Sequence, residues 1–156
     1  MEKILEYKLN IGVDEKFSFM PVLHDYKVSE MKIEDKKIVL ISNDVSNHDD
    51  DSSNFAGFKP KSVKVEFIND EYMQGQWGDP DMMVRVMYYG KRKYNKYHTF
   101  CEEFFDTIKE YDELEIIYPS VSFREVILTL WGEKRKKRCN IMMQIACDKV
   151  RYIFTD

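Results

Sequence analysis

The chain has 156 residues, and its 24 Lys and Arg against 28 Asp and Glu give a net charge of -4. This length suits one compact domain with one hydrophobic core, so we predict a single domain over residues 1–156. Proteins that follow a phosphate backbone usually carry a clear positive excess. We therefore do not expect a nucleic-acid partner.

Membrane spans and leader peptides have no counterpart in this sequence. No apolar run approaches the roughly 20 residues that a membrane span requires. The opening stretch "MEKILEYKLN" intersperses charges where a signal peptide has an apolar core, so we expect a cytoplasmic protein. Cys101, Cys139 and Cys147 lack the Cys-x-x-Cys spacing of zinc or redox sites, and we predict that they are reduced core thiols.

The first part of the chain alternates apolar and polar residues, which is typical of strands with one buried face. The stretch "LEYKLNI" predicts strand one over residues 5–11. The apolar residues Tyr26 and Val28 then occupy even positions, whereas Met31 and Ile33 occupy odd positions. Such a shift of parity predicts a bulge near residues 29–30. The stretch "EDKK" predicts the turn of a hairpin, and "IVLI" predicts a central strand.

Two polar stretches separate the next strands. Residues 43–61 are small, polar and acidic, which predicts a mobile loop. The stretch "VKVEFI" restores the alternation, and residues 70–81 predict a second long loop rich in turn residues. Another strand follows over residues 82–88.

One segment has helical spacing. "TFCE" at residues 99–102 fits a capping box, and apolar residues continue the pattern to Tyr111, which predicts a helix of about three turns. A pair of strands broken near Asp106 is the alternative. Four strands follow, "ELEIIY", "REVILTLW", "NIMMQIAC" and "VRYIF", and the "DK" between the last two predicts a tight hairpin. The fold class is mainly β (α+β), an antiparallel sandwich or strongly curved sheet of about eight or nine strands with one helix.

Few residues point to chemistry. His24 and Asp25 could act as a general base with its orienting carboxylate. Adjacent residues in an extended segment point to opposite faces, however, so we interpret the pair as architectural. The run "HDDD" at residues 48–51 lacks the ligand spacing of a calcium loop, and we predict no metal site and no cofactor. The sequence also lacks the common catalytic and nucleotide-binding motifs, which predicts a protein that is not an enzyme.

Two basic tracts, residues 91–96 and 134–138, each lie beside a predicted turn. They could contact phosphate, but no RNA-binding aromatic pattern accompanies them. We interpret them as charged loops that keep strand edges soluble.

Two family resemblances suggest binding functions. The stretch "LHDYKVSEMKIEDKKIVLI", followed by strands ending in "VRYIF", resembles small bacterial immunity and immunity-like proteins of toxin systems. That resemblance implies a protein that binds and neutralises a toxin. The stretches "GDPDMMVRVMYYGKRKY" and "FCEEFF" resemble the Asp-Pro strand and a later segment of C2 domains, which implies a module that binds anionic surfaces. "YPSVSF" lacks the Asp pair of a second calcium loop, so this resemblance implies no complete ion site.

We expect a non-enzymatic binding protein with a protein partner, and the first resemblance implies that this partner is a toxin. The alternatives are a ligand-holding β-barrel and the C2-like module. Acidic loops would attract a basic partner, and aromatic residues in loops are frequent at interfaces. The residues predicted to bind the partner are Asp49, Asp50, Asp51, Trp77, Asp79 and Asp81.

Overall fold

The computed structural model describes residues 1–9, 23–45, 58–69, 84–89, 96–98 and 101–156. These residues form two antiparallel five-stranded sheets and one short helix, in a sandwich-like arrangement. The mainly β fold class is therefore confirmed. The described part of the chain has ten strands because a short strand at 96–98 lies where the sequence indicated only a basic tract.

In chain order the strands are β1 (Glu2–Lys8), β2 (Glu30–Glu34), β3 (Lys37–Ser42), β4 (Ser62–Ile68), β5 (Val84–Tyr89), β6 (Lys96–His98), β7 (Glu113–Ser122), β8 (Glu125–Lys134), β9 (Lys137–Ala146) and β10 (Lys149–Thr155). Sheet A has the order β1-β10-β4-β3-β2, and sheet B has the order β6-β5-β9-β8-β7. The helix α1 spans Cys101–Thr107 and continues as a 3-10 turn over Ile108–Glu110.

The core lies between the two sheets, where apolar side chains from alternate strand positions meet. Among the largest side chains with less than 2% exposure are Tyr26 from a connection, Phe67 from sheet A, Phe104 from the helix and Leu128 from sheet B. The predicted helix is confirmed, since its apolar residues face this core. The capping box predicted for it lies outside the residues whose side chains are described.

The chain passes from sheet B to sheet A at residues 28–29. The Val28 N–H donates to the Leu114 carbonyl of β7 at 2.8 Å, whereas the next residue, Ser29, donates to the Ile41 carbonyl of β3 at 2.8 Å. The shift of parity in the sequence thus reflects a change of sheet rather than the predicted bulge within one strand. The hairpin turn predicted at "EDKK" is confirmed, and it joins β2 to β3.

The chain returns from sheet B to sheet A between β9 and β10, so the tight hairpin predicted at this point is wrong. β9 pairs with β5 and β8, while β10 pairs with β1 and β4. At this passage the main chain forms hydrogen bonds with residues of both sheets. The Asp148 N–H donates to the Ile68 carbonyl at 2.8 Å, the Leu9 N–H donates to the Asp148 carbonyl at 2.7 Å, and the Cys147 N–H donates to the Arg124 carbonyl at 3.1 Å.

Two of the cysteines can be placed in the core. Cys147 is buried, and Cys139 is half-buried with its thiol 3.9 Å from the Tyr111 hydroxyl. Burial raises the pKa of both thiols. The predicted position in the core is confirmed for Cys147, while the Cys101 side chain lies outside the description. Of the loop predicted over residues 43–61, residues 46–57 also lie outside it.

The outer face of sheet A carries an ion network that spans all five strands. At its centre Glu66 is only 4% exposed and lies 3.2 Å from Lys64, 3.3 Å from Arg151 and 3.5 Å from Lys37. Arg151 also contacts Glu6 of β1 at 2.8 Å. The remaining members continue to β2 and complete the network: Glu30, Lys32 and Glu34, with Lys149 on β10.

Gly132 in β8 generates a prediction about packing. A Cβ atom at this position would lie 2.8 Å from the Tyr111 ring and 3.3 Å from the Cys139 sulfur. We expect Gly132→Ala to lower the free energy of unfolding by about 2 kcal/mol, because the ring must move to make room. Urea denaturation measures this loss. In a Tyr111→Ala background the loss should shrink, and an equal loss in both backgrounds would contradict the assignment of the clash.

Candidate binding surface

The outer face of sheet B differs from the ion network because its centre is apolar. Met87, Met142 and Thr129 are direct cross-strand neighbours on β5, β9 and β8, and Ile127 and Trp131 flank Thr129 on the same face of β8. All five are half-buried. Cross-strand neighbours share a face of the sheet, so these residues form one continuous surface. We call them the sheet B face.

Aromatic residues of β7 extend this surface toward the sheet edge. Tyr118 lies opposite Thr129, and a shift of register between Ile116 and Tyr118 places it on the outer face. Its exposure of 64% is the largest of any described aromatic residue, and Phe123 at the end of β7 is 53% exposed. Exposed aromatic residues beside half-buried apolar ones are typical of protein interfaces.

Charged residues border the sheet B face near Trp131. The Arg138 guanidinium lies 5.7 Å from the centre of the Trp131 ring, within the range of a cation–π contact. Arg138 also contacts Glu133 at 3.6 Å. On the opposite side, Trp131 lies across from Glu115 of β7. Trp and Met at the centre with Arg at the border match the residue types enriched in interfaces.

Glu115 belongs to a small polar cluster with His24 and Asp25. The side chains of His24 and Asp25 touch, with Nδ1 2.7 Å from Oδ2. The expectation that they point to opposite faces is therefore wrong. They lie in a turn rather than in an extended segment, and Asp25 has a left-handed φ of 64°.

The surroundings of Glu115 favour its protonated form. Burial, a hydrogen bond with Asp25 and the negative charges of Asp25 and Glu113 raise the pKa of Glu115, while Lys27 opposes them. A protonated Glu115 can donate a hydrogen bond to Asp25, which in turn accepts one from His24. Within the described ranges, no group of three or more His, Cys, Asp or Glu is arranged to hold a metal ion. The architectural interpretation of His24 and Asp25 stays a prediction.

The second basic tract forms an exposed hairpin turn at one end of sheet B. Arg135 and Lys136 connect β8 to β9 with φ values of 51° and 61°, as in a type I′ turn. Asn and Gly are the preferred residues there, and a left-handed conformation costs other residues about 1 kcal/mol or more each. We call Lys134–Arg138 the basic turn.

Contacts with the preceding connection hold the basic turn in place. The Asp112 carboxylate accepts a hydrogen bond from the Arg135 N–H at 2.8 Å, and Lys134 forms an ion pair with Glu110. The side chains of residues 135–137 are exposed and form no ion pair with any described residue. The turn therefore presents cations on a fixed main chain.

The residues predicted to bind a partner, Asp49, Asp50, Asp51, Trp77, Asp79 and Asp81, lie outside the described residues. Of the tract at 91–96, only the main chain of Lys96 in β6 is described. Sequence reasoning missed the sheet B face. The stretch "REVILTLW" could have indicated this face. It has large apolar residues at both odd and even positions, which predicts apolar groups on both faces of one strand.

Comparison of the chain with protein families, with characterised proteins and with solved structures found no match. Among the described residues, none of the helical segments has the length and apolar character of a membrane span.

Two carboxylates should affect stability in opposite directions as pH changes. The raised pKa of Glu115 means that its stabilising contribution is complete below the ordinary value of 4.5 and is lost as pH rises through the folded-state pKa. We therefore expect Glu115→Gln to be more stable than the wild type at neutral pH. This difference should disappear at pH values well below 4.5.

Glu6 provides the matched comparison. Burial alone would raise its pKa, but the hydrogen bond from Arg151 and the charges of Lys149 and Arg151 lower it. Its stabilising contribution is thus present above the ordinary value of 4.5 and is lost as pH falls through the folded-state pKa. Glu6→Gln should be less stable than the wild type at neutral pH. Urea denaturation across the pH range measures both variants, and shifts of the same sign would contradict the assignments.

Proposed function

We propose that this protein is a non-enzymatic binding protein that holds a protein partner on the sheet B face. The observation that carries the proposal is a difference between the centres of the two outer faces. The central residues of the sheet B face are direct cross-strand neighbours, whereas on sheet A the ion-network residue Lys64 separates Ile41 from Ile153. Burial of the sheet A face would strip water from an already satisfied ion network, which brings little gain in free energy. Burial of Trp131, Met142 and Ile127 would remove apolar surface from water.

The packing between the sheets favours this proposal over the ligand-holding alternative. A barrel or sandwich that encloses a ligand needs space between its strands. Here the large side chains of Tyr26, Phe67, Phe104 and Phe154 lie in the interior with less than 2% exposure. Binding at an outer face requires no rearrangement of this core.

An immunity-like role, in which the partner is a toxin, is the specific form of the proposal that the resemblance of residues 23–41 suggests. Immunity proteins act by occupying a surface and need no catalytic group of their own. Such a role accords with an outer face that offers contact area rather than a constellation of reactive side chains. The acidic residues predicted to steer a basic partner would add to the rate of association rather than to the contact itself.

The test compares two double variants on opposite faces. Ile127→Gln with Met142→Gln changes the sheet B face, and Ile153→Gln with Ile41→Gln changes the sheet A face. All four residues are half-buried and lie on interior strands, so the pairs are matched. A protein that co-purifies with the wild type is identified, purified and titrated calorimetrically against both variants.

We expect the sheet B variant to weaken binding by about 30-fold, or roughly 2 kcal/mol, because central apolar contacts carry most of the affinity of an interface. The sheet A variant should bind like the wild type. Equal affinities of the two variants would place the contact elsewhere. Failure of any protein to bind stoichiometrically would overturn the proposed function.

A further inference from the structure

We infer that the basic turn is a second contact of the same interface and that it binds an acidic segment of the protein partner. This inference rests on the proposed function. The basic turn joins the ends of β8 and β9 next to Trp131, so it adjoins the sheet B face. A partner lying on the sheet B face can therefore reach the turn. The inference specifies one further property of the partner, which is that its segment near the basic turn is negatively charged.

The geometry prepares the turn to bind carboxylates. Asp112 fixes the main chain at Arg135, and the flanking cations Lys134 and Arg138 are held by Glu110 and Glu133. The cations at the tip have no such partners within the described part of the chain. Binding would therefore cost little main-chain conformational freedom, and charge-assisted hydrogen bonds could form without rearrangement of the turn.

The backbone geometry of the basic turn recurs in a second hairpin, which supplies a control. Arg135 and Lys136 both hold left-handed conformations that Asn-Gly would adopt with less strain. The β2–β3 hairpin has the same geometry, with φ values of 49° at Asp35 and 61° at Lys36, but its tip carries opposite charges. It therefore provides a control turn of equal backbone conformation and no net charge.

An acidic protein segment fits this site better than a nucleic acid. A phosphate backbone requires a long track of cations, whereas the turn offers a short cluster. The adjoining Trp131 suits the apolar side chains that a peptide can supply beside its acidic ones.

The experiment replaces each turn by Asn-Gly. Arg135→Asn with Lys136→Gly changes the basic turn, and Asp35→Asn with Lys36→Gly changes the control turn. A third variant, Arg135→Gln with Lys136→Gln, removes the charge without relieving the backbone. The probes are a labelled short peptide with an acidic half of Glu and an apolar half of Leu and Phe, a short DNA duplex, and phosphatidylcholine vesicles that contain phosphatidylserine.

Both Asn-Gly variants should melt at a higher temperature, by about 4 °C, because strain is relieved. Only the changes in the basic turn should weaken binding of the peptide, by about tenfold, and the Gln variant should lose as much as the Asn-Gly variant. Added salt should reduce the difference, since the tip is exposed.

The outcomes separate this inference from the proposed function. Unchanged peptide binding by the basic-turn variants would overturn the inference, while the proposed function would stand if Ile127→Gln with Met142→Gln still lost the partner. The DNA duplex or the vesicles could instead bind more tightly than the peptide and lose affinity in the basic-turn variants. That result would identify a phosphate site and overturn the acidic-segment assignment. An equal loss in the control-turn variant would also overturn it.

Discussion

The main-chain passages between the sheets fix the geometry on which the other features depend. At residues 28–29 the chain leaves the edge of sheet B and joins sheet A, and at Asp148 it makes the same transition again. Hydrogen bonds from Leu9 and to Arg124 and Ile68 close the second passage. Because the same chain belongs to both sheets at these points, the sheets keep one relative position and one shared core.

The two outer faces follow from that arrangement and have different physical characters. The outward positions of sheet A hold a few apolar residues, such as Ile41 and Ile153, among charges whose partners lie on neighbouring strands. Glu66, nearly buried among three cations, is the centre of that pattern. The outward positions at the centre of β8 and β9 instead hold apolar groups such as Ile127 and Met142, which take no part in an ion network. This difference leaves sheet B as the face suited to a partner.

Local patterns in the sequence predicted most of the strands and the helix. They did not predict where the chain changes sheet, because this depends on pairing between distant residues. Alternation and short runs of apolar residues identified nine of the strands, and the spacing of Phe104, Phe105 and Ile108 identified the helix. Alternation reports only which side of a strand is buried, so it could not distinguish a bulge at Ser29 from a change of sheet. It also could not place Cys147–Asp148 between sheets, and His24 meets Asp25 only because of a left-handed turn. The sheet B face could not be recognised from the sequence alone, because apolar residues at both parities of β8 are also typical of a strand buried on both faces.

The pairing of β1 with β10 has a consequence for how the chain acquires its structure. Among the described strands β1 pairs only with β10, which comprises residues 149–155. Contacts between such distant parts of a sequence form late, because closing a long loop costs entropy before any contact is gained. During synthesis on the ribosome β1 must therefore wait for its partner until residues 149–155 have emerged. Its exposed Ile4 and half-buried Leu5 remain available to chaperones, or to aggregation, during that interval.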